Sequence, residues 1–138
     1  MINIFKVIVS GFVHNSDGKL LVIRRALDEE TFPGMLAIPG GTVEVESNSG
    51  LQNDTIENAL IREVKEETDV DVTVGEWMES SAIAKDTGKL YLFFRCTVSG
   101  NDVPATSPET PEVFWATPSE VSLDECTPAV KAYLESYK

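Results

Sequence analysis

From Ile4 to Val13 the chain runs Ile-Phe-Lys-Val-Ile-Val-Ser-Gly-Phe-Val, a β-branched and aromatic stretch with polar or small residues let in at intervals. That pattern predicts a strand, and Asn15-Ser16-Asp17-Gly18 predicts the turn that ends it. Lys19 to Arg25 then supplies the return strand of a hairpin. Residues 26–35, which hold Pro33-Gly34, read as a loop, and the short apolar piece Leu36-Ala37-Ile38 runs into Pro39-Gly40-Gly41. Polar residues from Glu46 to Asn53 show no periodicity and read as an exposed loop. A helix follows to about Thr68, with Asp54 as its cap and Glu57 three positions on to complete a capping box. Strands are expected at about 70–84 and 89–98, joined at Asp86-Thr87-Gly88. A loop with three prolines covers 99–111, and Val113-Phe114-Trp115 is a further short strand. The last helix starts near Thr127-Pro128, with Val130, Tyr133, Leu134 and Tyr137 at i, i+3, i+4 and i+7. The irregular alternation of strands and helices, without a repeat, predicts an α/β fold in which a mixed sheet lies between helices.

Composition narrows the partners. The 138 residues suit a single domain over 1–138, large enough to hold a core without disulfide or metal staples. Eleven basic against 23 acidic residues give a net charge of -12, a field that repels long nucleic acids and anionic membranes. A small phosphorylated ligand stays compatible, provided metal ions or local cations reverse the sign at one site. Two cysteines, Cys96 and Cys126, are too few for a disulfide framework or a zinc ribbon. No apolar run reaches the roughly 20 residues that span a bilayer, and the N-terminus lacks a basic leader. The expectation is a soluble, cytoplasmic protein.

Candidate chemistry concentrates in the 54–68 helix. With Ile56, Leu60 and Val64 defining the buried stripe, Glu67 falls inside it and Glu63 on its edge, about 60° from Leu60. Glu66 lies further round, near Ala59. An acidic helix usually presents a solvated face, but that reading fits poorly when two of the glutamates flank the core stripe. Carboxylates gathered away from water repel one another and take up protons unless a cation neutralises them. Oxygen donors without His or Cys point to Mg²⁺ or Mn²⁺ rather than zinc.

Arg62-Glu63-Val64-Lys65-Glu66-Glu67, behind Pro39-Gly40-Gly41, also resembles the signature of the Nudix (MutT-like) hydrolases, G-x5-E-x7-R-E-U-x-E-E-x-G-U with U aliphatic. Val70 fits the last aliphatic place, and the approach through Leu20-Leu21-Val22-Ile23-Arg24-Arg25 looks family-like, so the resemblance covers roughly residues 4–117. Three departures stand out. Gly41 and Arg62 enclose 20 residues, seven more than the pattern; the first acidic place falls to Asp54 or Glu46; and the late glycine is Asp69. An aspartate visits the left-handed conformation that a helix C-terminus needs more readily than most residues.

The resemblance implies an α/β/α sandwich that uses Mg²⁺ or Mn²⁺ to hydrolyse the pyrophosphate link of a small nucleoside diphosphate derivative. A nucleoside triphosphate or a nucleotide sugar such as ADP-ribose would qualify, and the Arg24-Arg25 lead-in is closer to triphosphate-cleaving members. It assigns the metal to Glu63, Glu66, Glu67 and the Gly40 carbonyl, and makes Arg62 the residue that orients Glu63. Arg25, Gly41 and Glu44 become substrate contacts. The base that activates water would be Glu63 or a carboxylate of the later loop, Glu109 ahead of Glu112. Relatives often form homodimers. Two other classes remain open: a Nudix-like module that senses a nucleotide without cleaving it, and a metal-buffering acidic interaction domain. Arg24 would point away from Arg25, while Trp77, Phe93 and Phe94 are candidates either for core or for stacking on a base. His14 and Cys96 read as structural.

Overall fold

The computed structural model describes residues 5–48, 50–85 and 87–136. Ile4, the hairpin residue Asp86 and Tyr137, all used in the sequence reading, lie outside the described residues. The elements follow in the order β1 (Phe5–His14), β2 (Leu20–Arg24), β3 (Leu36–Ala37), β4 (Gly40–Thr42), α1 (Thr55–Thr68), β5 (Val72–Lys85), β6 (Thr87–Val98), β7 (Glu112–Ala116) and α2 (Pro128–Glu135).

One mixed sheet runs β3-β2-β1-β6-β5, with β4 paired to β1 and β7 to β2. Asn15 closes the first hairpin by accepting the Asp17 and Lys19 N–H groups on its Oδ1. β1 and β2 pair at His14 and Leu20, and further along β1 it is β4 that lies beside Ile8, Val9 and Ser10. On its other side β1 pairs in parallel with β6, from Phe5 against Gly88 to His14 against Thr97.

Alternation along β1 divides the core in two. Val9 and Val13 join Ala59, Leu60 and Val64 of α1 on one face. Phe12 joins Val130, Tyr133 and Leu134 of α2 on the other, and its ring stacks on Tyr133 with centroids 3.9 Å apart. The result is the helix–sheet–helix sandwich expected. His14 ties the two layers, with Nε2 2.6 Å from the Tyr133 hydroxyl. Cys96 is fully buried, and burial pushes its thiol up to about 12, which leaves it inert.

The start of α1 differs from expectation. Asp54 does stand at the cap position, but in the left-handed region at φ 53°, and its side chain makes no capping bond. A left-handed cap does not aim the carboxylate along the first turn, so the capping box with Glu57 is not formed. The helix end follows expectation: Asp69 takes φ 63° and returns its N–H to the Lys65 carbonyl. β5 begins two residues later than predicted, at Val72.

Candidate active site

A polar cleft of about 530 Å³ opens where β1 parts from β2. Gly40, Gly41 and Thr42 line it from β4, Glu63 and Glu67 from α1, and Lys6, Ile8 and Ser10 from β1. Arg25, Glu44 and Glu109 enter from the connecting segments.

The helix period alone brings Glu67 inward, one turn beyond Glu63. The backbone N–H of Gly40 donates to Glu67 Oε1 at 2.8 Å. Burial raises the Glu67 carboxyl to about 8; the Gly40 bond and Arg25 pull it down, and the charges of Glu63 and Glu109 push it up. Glu63 is raised as well, by burial first and by Glu66 and Glu44, while Arg62 opposes the shift. Arg62 donates to Glu63 Oε1 at 3.2 Å and to the Thr42 carbonyl at 3.4 Å, so it links the helix to β4. Gly41 has to be a glycine for this arrangement, because a Cβ there would collide with the Glu63 carboxyl group. At Gly40 a Cβ would strike the Val9 carbonyl across the ladder, so both glycines permit close approach.

Glu66 is placed otherwise than the shared arc suggested. Its side chain is 60% exposed, outside the cleft, with Oε1 3.8 Å from Arg62 Nε. The physical reason is rotation: Glu66 sits about 60° beyond Glu63, past the helix edge. Neither candidate for the first acidic place of the signature lines the cleft; Asp54 and Glu46 are exposed, and Glu44 is the acid of that region that does. The Gln52 amide donates to the Glu46 carbonyl at 3.2 Å.

The proline-rich loop is fastened to the far end of α1. Ala105 N–H donates to the carbonyl of buried Thr68, Asn101 Nδ2 to that of Asp69, and Trp115 Nε1 to the Asp102 carbonyl. Ser107 and Thr110 then exchange backbone hydrogen bonds of 3.1 and 3.0 Å, and the turn they close carries Glu109 into the cleft. Glu112 leaves in another direction: its carboxylate accepts from Arg24 Nε at 2.7 Å. Arg25 turns towards the cleft, donating to the Thr31 carbonyl and to Glu29.

An apolar recess of about 270 Å³ adjoins the cleft and shares Ser10, Arg25, Phe32, Ile38 and Tyr91 with it. Phe93 lines the recess, whereas Phe94 packs on the α1 side and Trp77 is exposed on β5. Phe32, Tyr91, Lys6 and Lys89 went unnoticed in the sequence. The period-2 pattern of β1 marks Lys6 as sharing a face with Ile8 and Ser10, but nothing local reveals that β6 lies beside it.

Among the described residues no group of three or more His, Cys, Asp or Glu side chains stands together as a ready metal cage. The donors present nonetheless suit a hard divalent cation: two carboxylates that burial raises above the ordinary carboxylate range, beside a glycine backbone, without His or Cys.

The site is thus a helix carrying inward acids against a glycine-rich strand, inside an α/β/α sandwich. The chain belongs to the Nudix hydrolase family: the NUDIX domain model matches residues 4–137. A MutT-like protein of Streptomyces ambofaciens is 40% identical over 116 residues, 83% of this chain and 65% of its own length. The nucleoside triphosphatase NudI of Escherichia coli K12 is 32% identical over 128 residues, 84% of each chain. The fold matches the crystal structure of a Nudix hydrolase from Nitrosomonas europaea with a TM-score of 0.77 at 22% identity, covering 99% of this chain and 73% of that one.

Proposed function

We propose that this chain hydrolyses the pyrophosphate link of a small nucleoside diphosphate derivative with Mg²⁺ or Mn²⁺. One observation carries the reading: Glu63 and Glu67 sit side by side in the cleft, both raised by burial, against the Gly40-Gly41 backbone. Glu63, Glu67 and the Gly40 carbonyl would hold the ion, with Glu66 at the outer margin. When bound, such an ion neutralises phosphate charge and acidifies water. Arg62 keeps Glu63 turned towards β4, and Gly41 and Glu44 border the substrate. The recess with Phe32, Tyr91 and Phe93 offers aromatic and apolar surface to a base. In the reaction a water oxygen bonds to one phosphorus of the anhydride and the bridging oxygen leaves with the departing phosphate group. The proton lost from water passes to a carboxylate, for which Glu109 is the candidate from its place in the cleft.

A panel of nucleoside triphosphates and nucleotide sugars, incubated with Mg²⁺, tests the reading. Release of nucleoside monophosphate from at least one is expected. Binding without release would favour a sensor module, and metal affinity indifferent to nucleotide would favour a metal-buffering domain.

Glu109 and Glu112 are separable. Glu109→Gln is expected to lower kcat about tenfold or more with a modest change in KM. Glu112→Gln removes only a partly exposed ion pair with Arg24 and should do less. The reverse ranking in steady-state assays would move the role to Glu112, and two silent variants would leave Glu63 as the base.

A further inference from the structure

We propose that Lys6 and Lys89 seat the terminal phosphate of the substrate, which makes a nucleoside triphosphate the preferred class over a nucleoside diphosphate ending in a neutral sugar. The assignment rests on the hydrolase reading above and adds to it.

Lys6 and Lys89 are register partners on the parallel strands β1 and β6, and both line the cleft. Register partners project from the same face of a sheet, so two ammonium groups stand side by side. Adjacent like charges cost stability unless something anionic lies between them. The protein does not supply it: carboxylates outnumber cations in the cleft lining by seven to three, yet neither lysine has an ion-pair partner among the described residues. The third cation, Arg25, is already engaged by Glu29 and the Thr31 carbonyl. Lys89 donates to Thr31 Oγ1 at 3.0 Å, which steadies its ammonium group and leaves further N–H donors for a ligand.

Ser10 pairs with Gly40, the partner of Glu67; Val9 pairs with Gly41, which touches Glu63. Ser10 also borders the apolar recess. Lys6 lies four residues from Ser10, about 13 Å away along the strand. Lys6, Ile8 and Ser10 share one face of β1. Ile83, the register partner of Lys89 on β5, lines the recess. The lysines therefore stand beside the recess, while the carboxylates reach the same cleft from α1. A base in the recess and an anhydride at the carboxylates leave the terminal phosphate of a nucleoside triphosphate to the lysines.

The test compares one nucleoside triphosphate with a diphosphohexose of the same nucleoside, in the full chain with Mg²⁺. Lys6→Gln and Lys89→Gln should each raise KM for the triphosphate about fivefold, and leave KM for the diphosphohexose within about twofold. Lys131→Gln, exposed on α2, controls for bulk charge and should shift neither. Arginine at either position should restore most of the triphosphate KM. Equal rises for both substrates, no rise at all, or an equal effect from Lys131→Gln would overturn the assignment while leaving the hydrolase reading intact. A wild-type chain inactive on both substrates, and on the wider nucleotide panel, would overturn the hydrolase reading itself.

Discussion

Glu67→Gln is expected to lower turnover by about 10²–10⁴, the scale of a positioned catalytic group. Glutamine has the same shape and its amide oxygen can still accept the Gly40 N–H that now reaches Glu67 Oε1, so the fold should be kept. Only the charge is lost, and with it a carboxylate held against the cleft by burial. Glu63→Gln should behave alike, because Arg62 donates to that group at 3.2 Å and the Gly41 backbone lies against it. Glu66→Gln should lower turnover less, since that side chain is exposed and paired with Arg62 outside the cleft. Steady-state rates with saturating Mg²⁺ check the series. Full activity in Glu67→Gln would remove that residue from the mechanism.

The apo protein should lose stability as pH rises from about 5 to about 9. Glu67 has an ordinary value of 4.5 and is raised to about 8 in the folded state, chiefly by burial. The folded chain thus binds this proton more tightly than the unfolded chain. The resulting stabilisation is fully present below pH 4.5, is lost as pH climbs through about 8, and is absent above. Glu63, raised for the same first reason, works in the same direction. For Glu67 alone the effect is on the order of 4 kcal/mol. It should appear as a fall in Tm of roughly 10 °C or more in EDTA. Glu67→Gln should remove most of the slope and be the more stable protein at pH 9. Melting curves in EDTA decide it: a Tm that is flat across the range, or an unchanged slope in the variant, contradicts the assignment of Glu67 as a buried proton carrier.

What the sequence disclosed depended on how local each feature is. The 54–68 helix was legible because its stripe repeats with the helix period, and the inward turn of Glu67 follows from the same count. The left-handed Asp69 could be anticipated from residue type at a helix end, and it is realised at φ 63°. Asp54 shows the limit of that approach, since residue type announced a cap and the backbone took a conformation that leaves its carboxylate out of the first turn. Gly40 and Gly41 were recognisable as a motif, but their status as a strand exists only because β1 offers an edge to Ile8, Val9 and Ser10. The Lys6–Lys89 pair brings together β1 and β6, remote in sequence, and no periodicity within either strand encodes which neighbour it takes. Glu109 was separable from Glu112 only weakly, because a turn closed by Ser107 and Thr110 and an ion pair with Arg24 send the two apart.

The central claim is that the cation occupies the place of a proton on Glu67. At pH 7 a group with a value of about 8 is mostly protonated, and it must ionise to ligate a metal. Titration of the apo protein with Mg²⁺ at pH 7, following proton release through the heat of two buffers of different ionisation enthalpy, measures this directly. The expected result is release of about one proton per ion bound by the wild type and little or none by Glu67→Gln. Binding without proton release, or the same release from the variant, would contradict it.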